Sequence, residues 1–300
     1  MSDGGSSPEA ADRGLGPVID FAIRVLAPTS LLTAVLFYFG FVREQALFGY
    51  FGVDLGSVGF STRDYLVRSA GTLFVPLAMV LIAGLAAVVA HLLLVLVLVR
   101  VDRRWRRIVW GGLCVIGVVL LVIGVVGLRR RADPLQGVLG SPLVAPVALG
   151  SGALIVEYAV NTAGATEAVP APLSGILAGT RTLRQGLTLA LVLVAMFWAT
   201  ANVARQRGVD AARAIELSLP IQPQAVVYSR DRLQITGPGV SLSELDAPGA
   251  AFAFRYNGLR RLVHAGDRWF LLPVGWTRDN GSTVILLPDT SDAIRVDLAP

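Results

Sequence analysis

The chain reads as a mainly α transmembrane helical bundle of five spans, possibly four, followed by a small C-terminal all-β antiparallel meander or barrel. Three observations predict this. The 28 residues Thr72–Val99 contain no Asp, Glu, Lys or Arg, and other stretches share that character. Only lipid or a very large core can absorb so much apolar helix. Arginines cluster at the ends of these stretches, as membrane topology requires. From about residue 222 the pattern changes to short β-branched and aromatic runs separated by turn residues.

Composition narrows the function classes. Of 300 residues, 54% are hydrophobic and 16% charged, against roughly 25% charge in soluble domains. All 26 basic residues are arginine. A P-loop, a protein-kinase fold and a Schiff-base enzyme each need a lysine, so those three are excluded. The +5 charge comes without an RNP, zinc or helix-turn-helix signature, so no nucleic-acid role is read from it. A single cysteine, Cys114, forms no intrachain disulfide, and no metal or cofactor is expected.

Residues 1–16 are Gly/Ser/Pro-rich and read as a disordered tail. The transmembrane helical domain covers 17–204. Its first span is about 25–42, between Arg24 and Arg43, and ends in Phe37, Tyr38, Phe39 and Phe41. Bulky rings in place of a small-residue cleavage site mark an anchor that stays attached. Residues 43–71 form a mixed aromatic connector, lying on the bilayer or folded back on the bundle. Within it, Ser61 and Asp64 fit a capping box that starts a helix leading into the second span, 74–99. A link with five arginines, 100–107, leads to the third span, 108–128, where Gly117 and Gly124 suit close helix packing. The fourth span, 142–160, carries Pro142 and Pro146 and decides between five crossings and four. The fifth is 186–204. A linker is expected over 205–221.

The soluble β domain, 222–300, is read as a separate unit. Its expected strands are QAVVYS, RLQIT, AFAFRY, LRRLVHA, RWFLLPVGW, TVILLP and AIRVDL. Turn chemistry separates them at Gly237-Pro238-Gly239, Ala265-Gly266-Asp267, Asn280-Gly281 and Pro288-Asp289.

Five arginines in the 100–107 link do not cross a membrane easily, which places that link and the N-terminus in the cytoplasm of a plasma-membrane protein. With five spans the β domain is outside; with four it is inside. Arginines near span ends divide nine against nine for five spans and ten against eight for four, so charge counting does not choose.

The segments FYFGFVREQALFGYFGVDLGSVGFSTRDYLVRS, AMFWATANVARQRG and YNGLRRLVHAGDRWFLLP resemble a group of uncharacterised actinobacterial multi-pass membrane proteins. The FGVD…GFSTRDYLVRS block is the most distinctive. The resemblance covers most of the chain and implies a helical bundle of about five spans with a β-rich terminal domain. It implies no activity.

Two sets of residues carry candidate chemistry. His91 lies inside the second span, and ionisable groups at that depth mark proton or ion paths. Glu157 is its candidate partner across the bundle, giving an alternative reading as a solute or ion transport component. The competing reading is a neutral imidazole bonded to a neighbouring helix, with Glu157 ending a helix. In the β domain, Arg255, Arg260, Arg261 and Arg268 accompany Tyr256, Trp269, Phe270 and Trp276, the residue types of binding hot spots. Against this, the aromatics fill a core and the arginines face solvent. No nucleophile–base pair or metal motif is present. The chain is therefore expected to be non-enzymatic, presenting its β domain to an envelope or membrane partner; its oligomeric state is not legible.

Overall fold

A computed structural model describes residues 15–100, 102–129, 141–165, 175, 177, 179–245, 251–289 and 292–300; for 15–28, 31, 69–77, 103, 129 and 163–165 it describes the backbone alone. The chain forms two compact units. One joins the residues up to Ala70 with Gly208–Pro300; the other is Gly71–Arg207.

Five long helices and one short one are described: α1 Leu15–Tyr50, α2 Leu55–Val58, α3 Thr62–Val99, α4 Arg103–Arg129, α5 Val144–Ala165 and α6 Arg181–Ser218. Four segments are long and apolar enough to cross a membrane, Ala78–Val99, Arg104–Leu128, Val144–Thr162 and Arg181–Ile221. The expected first span, 25–42, lies in α1, and its residues 25–28 and 31 fall outside the described side chains. The expected tail, 1–16, likewise falls outside the described residues, except that Leu15 and Gly16 open α1.

In the Gly71–Arg207 unit, α4 and α5 meet through small residues. A Cβ on Gly124 would lie 2.8 Å from Leu149 Cα, and one on Gly152 would lie 2.8 Å from Gly117 O. Only glycine permits this approach. Pro142 precedes α5 and Pro146 occupies its first turn, where a missing N–H costs nothing. The expected interruption is thus a helix start.

The other unit revises two expectations. Residues 43–50 are not connector but the last turns of α1, and 205–218 are not linker but the end of α6, followed by a 3-10 turn at Leu219–Ile221. Both extensions carry apolar stripes at helical spacing, Leu47, Phe48 and Phe51 on one and Ala211, Ala212, Ile215 and Leu219 on the other. These enter a single core with Val53, Leu55, Val58, Tyr65, Phe270, Leu272 and Trp276. The β region is therefore not a separate domain, because one of its faces is buried against helix ends. The capping box holds as expected: Asp64 Oδ2 accepts from Ser61 N at 2.9 Å and from Ser61 Oγ at 2.7 Å, opening α3.

Six strands follow: β1 Gln224–Ser229, β2 Ser241–Glu244, β3 Phe254–Ala265, β4 Arg268–Pro273, β5 Ile285–Pro288 and β6 Ile294–Ala299. Their order is β5-β4-β3-β1-β6, with β2 also pairing β3, all antiparallel. Only β3–β4–β5 is a meander, and the sheet is open, not a barrel. AFAFRY and LRRLVHA merge into β3 around Gly258, whose φ of 79° and contact with the Gly239 carbonyl leave no room for a side chain. RLQIT is not a strand. The Tyr256 phenol accepts from Leu233 N and donates to Leu233 O, both at 2.7 Å, occupying the groups a ladder would use. Ala265-Gly266-Asp267 makes the expected tight turn between β3 and β4. Asn280-Gly281 is not a two-residue hairpin turn. Asn280 instead ends a 3-10 turn capped by Thr277 in a longer β4–β5 connection.

Residues 222–300 produced alone should expose Phe270, Leu272 and Trp276 and bind a hydrophobic dye. A cooperative thermal transition for that fragment would contradict the shared core.

Candidate functional site

The intramembrane pair expected from sequence is not formed. His91 on α3 bonds Tyr158 of α5, Nδ1 to Oη at 2.6 Å, with the two rings edge-on at 5.5 Å. Trp110 of α4 packs on the same Tyr158 ring at 5.8 Å. Glu157 is one residue away but pairs with the Arg184 guanidinium of α6. Neighbours on an α-helix point about 100° apart, so Glu157 and Tyr158 serve different helices. His91 thus bonds a neighbouring helix, and Glu157 acts as a tie between α5 and α6 near their connected ends.

The four arginines of the β region do not form one patch. Arg260 donates from Nε to Leu219 O at 2.9 Å and from Nη2 to Pro220 O at 3.4 Å. It binds carbonyls of the 3-10 turn that follows α6, a position that favours a cation. Arg255 lies over the Tyr228 ring, 5.9 Å from its centroid. Arg261 and Arg268 remain exposed. Of the aromatics, Tyr256, Phe270 and Trp276 are buried in the core.

Three polar nodes in the β-containing unit were missed from sequence. The first is Glu44, fully buried, paired with Arg43 and, through Oε2 at 3.1 Å, with Arg68 of α3. Burial of an unpaired carboxylate would cost several kcal/mol, so two guanidiniums are what make the position tenable. Burial, and then the Glu44 charge, push the Tyr65 phenol above its usual range. The α1–α6 approach beside this node is close: a Cβ on Gly208 would collide with the Arg43 carbonyl.

The second node is Glu216 near the end of α6. It accepts from Tyr50 Oη at 2.5 Å and from Arg278 N at 3.1 Å, while the Arg278 guanidinium sits 4.7 Å from the Tyr50 ring centre. The hydrogen bond to Glu216 holds the Tyr50 phenol protonated to higher pH. The third is Asp289, which accepts from Trp269 Nε1 and bonds His264 Nε2, each at 2.8 Å. His264 and Trp269 stack at 4.1 Å across the β3–β4 hairpin. The Trp269 bond first, then His264, lower the Asp289 carboxyl. Beside the α1–α2 turn, a cleft of about 460 Å³ is lined by Phe51, Val53, Asp54, Ser57, Val284 and Leu286.

No sequence signal short of knowing the contacts pairs Glu44 with Arg68, which are 24 residues apart. Glu216 was findable: it is an acidic residue adjacent to the Ala211–Ile215 stripe.

No protein-family description, no curated protein and no solved structure matches this chain.

Glu44→Gln should destabilise the β-containing unit by about 3 kcal/mol, because it leaves two guanidiniums without their buried counter-charge. Denaturant unfolding of the purified chain measures it. A depressed carboxyl contributes stability above its unfolded pKa and loses it as pH falls through the folded one. Acidification below about pH 4 should therefore loosen the Asp289 hairpin, and Asp289→Asn should flatten that part of the profile, read by Trp269 fluorescence.

Proposed function

We propose that this is a five-span plasma-membrane protein with a cytoplasmic N-terminus, whose task is to hold a mixed helix-and-sheet head outside the cell for a membrane or envelope partner. The observation that supports it most is the shared core of Phe48, Phe51, Val58, Leu219, Phe270 and Trp276. Segments that pack in one core lie in one aqueous compartment. Residues 43–70 and 208–300 therefore share a side, and the chain between them crosses an even number of times. The apolar segments of α3, α4 and α6 supply three crossings. Parity then favours α5 as the fourth, and α1 adds the fifth. With the arginine-rich 100–107 link in the cytoplasm, the head is outside. The resemblance to actinobacterial multi-pass proteins independently implies about five spans.

Helix length agrees with this reading. A 38-residue helix such as α6 is about 57 Å long, against about 30 Å of hydrocarbon. The excess is what joins the sheet.

Single cysteines at Gln45, Arg104 and Ser243, each in a Cys114→Ala background, test the arrangement with an impermeant maleimide. Gln45→Cys and Ser243→Cys should label on intact cells, and Arg104→Cys only after permeabilisation. Opposite behaviour of the first two breaks the parity argument. Solute flux in proteoliposomes that His91→Ala abolishes without loss of folded protein would replace the presenting role with transport.

A further inference from the structure

We propose that the outer edge of β6 is a self-complementary surface that pairs with β6 of a second copy of this chain. The inference needs only the sheet and is independent of the membrane reading.

The two edges of the sheet differ. Along β5, Asp289 N donates to Asp267 O at 2.9 Å, so the odd-numbered residues face β4 and the even-numbered ones face outward. One of those outward positions is Pro288, which has no N–H. Proline on an edge is a known protection against strand addition. Along β6, Arg230 N donates to Ala293 O at 3.0 Å, and the register pairs Arg295 with Tyr228 and Asp297 with Val226. Ladder bonds alternate sides in an antiparallel strand. Ile294, Val296 and Leu298 therefore direct their N–H and C=O groups away from β1. Among the described residues no hydrogen bond occupies those groups. This edge carries no proline, lysine or bulge.

The sequence of the edge is palindromic in chemistry about Val296: Ile-Arg-Val-Asp-Leu. A two-fold axis through Val296 sets Val296 against Val296 of the second copy, Ile294 against Leu298, and Arg295 against Asp297. The outward-facing residues then meet only one another, which is the condition for narrow pairs that each exchange two N–H···O bonds. Arg295 and Asp297 share one face, where Arg295 Nε already donates to Asp297 Oδ1 at 2.8 Å within the strand. In the pair, each carboxylate gains a second guanidinium directly across. Ile294 and Val296 share the opposite face and already pack on the sheet's second core, and Leu298 is 46% exposed. Opposite charges and apolar pairs directly across a ladder each favour pairing. The same patch serves both copies, as a two-fold interface requires.

A shift of one residue sets the outward groups of one strand against residues whose own N–H and C=O groups face β1. A shift of two places Arg295 opposite Arg295. The charge pattern thus selects a single register, which makes the test specific.

The test uses the full chain in detergent and in membranes, with Cys114→Ala throughout. Narrow-pair Cα atoms are about 5.5 Å apart, within disulfide reach. Val296→Cys should give a disulfide-linked dimer on mild oxidation, and Leu298→Cys alone much less. Adding Arg295→Asp to Val296→Cys should lose the cross-link by facing two carboxylates across the axis. Adding Asp297→Arg as well should restore it, which also shows that the charge variants fold. A chain that stays monomeric with Val296→Cys, equal cross-linking from Leu298→Cys, indifference to Arg295→Asp, or no rescue by the double exchange would each overturn the proposal.

Discussion

The unit around the sheet depends on one constraint: neither the sheet nor the helix ends can bury their apolar surface alone. Along β4, Phe270 and Leu272 face the core shared with α1 and α6, whereas Leu271 faces a second core of Ala225, Val227, Tyr256 and Leu259. A strand covered on both faces has no solvent side. Phe51 packs on Trp276 with 4.8 Å between centroids, and Trp276 is fixed further by its Nε1 bond to Ser282 O. Losing either ring would remove a buried aromatic worth about 3–5 kcal/mol. The sheet is thereby committed to the helices that lead into it.

Polar groups in this unit serve alignment more than energy. Glu44 is surrounded by Arg43 and Arg68, and Glu216 binds Tyr50 and the backbone of Arg278. A buried ion pair recovers its desolvation only when its geometry is right, so it contributes little net stability but penalises every other arrangement. Glu44 ties α1 to α3, Glu216 ties α6 to α1 and to the β4–β5 connection, and Arg260 ties β3 to the end of α6. Each tie joins elements far apart in sequence, and together they fix the register between sheet and helices.

Much of this was legible in the sequence, and the failures share a cause. The apolar runs, the Ser61–Asp64 cap and the β1, β4 and β6 segments follow from local composition and period. The ends of α1 and α6 were misread because charge was taken as the end of a helix. Arg43 and Arg205 mark where apolar character stops, not where hydrogen bonding stops, and the stripes 47, 48, 51 and 211, 212, 215, 219 continue the helical period beyond them. The run Trp269–Leu272 held a second unread signal: an unbroken apolar strand implies cover on both faces. Glu44–Arg68 and Tyr256–Leu233 were beyond reach, because each joins side chains or backbone that only the folded chain brings together.

The apolar helices of the Gly71–Arg207 unit place their polar atoms differently. Ser151 donates to Val147 O at 2.7 Å, Thr162 to Tyr158 O at 2.7 Å and Thr200 to Met196 O at 2.8 Å. Each hydroxyl bonds a carbonyl four residues back in its own helix. Association of α4 with α5 rests instead on Gly117, Gly124 and Gly152, whose lack of side chains lets backbones touch. Between helices, His91 bonds Tyr158, Glu157 pairs with Arg184, and Asn202 Nδ2 donates to Pro142 O at 2.7 Å. In the other unit the polar bonds of Glu216 to Tyr50 and Arg278, and of Arg260 to Leu219, join α1, α6 and the sheet.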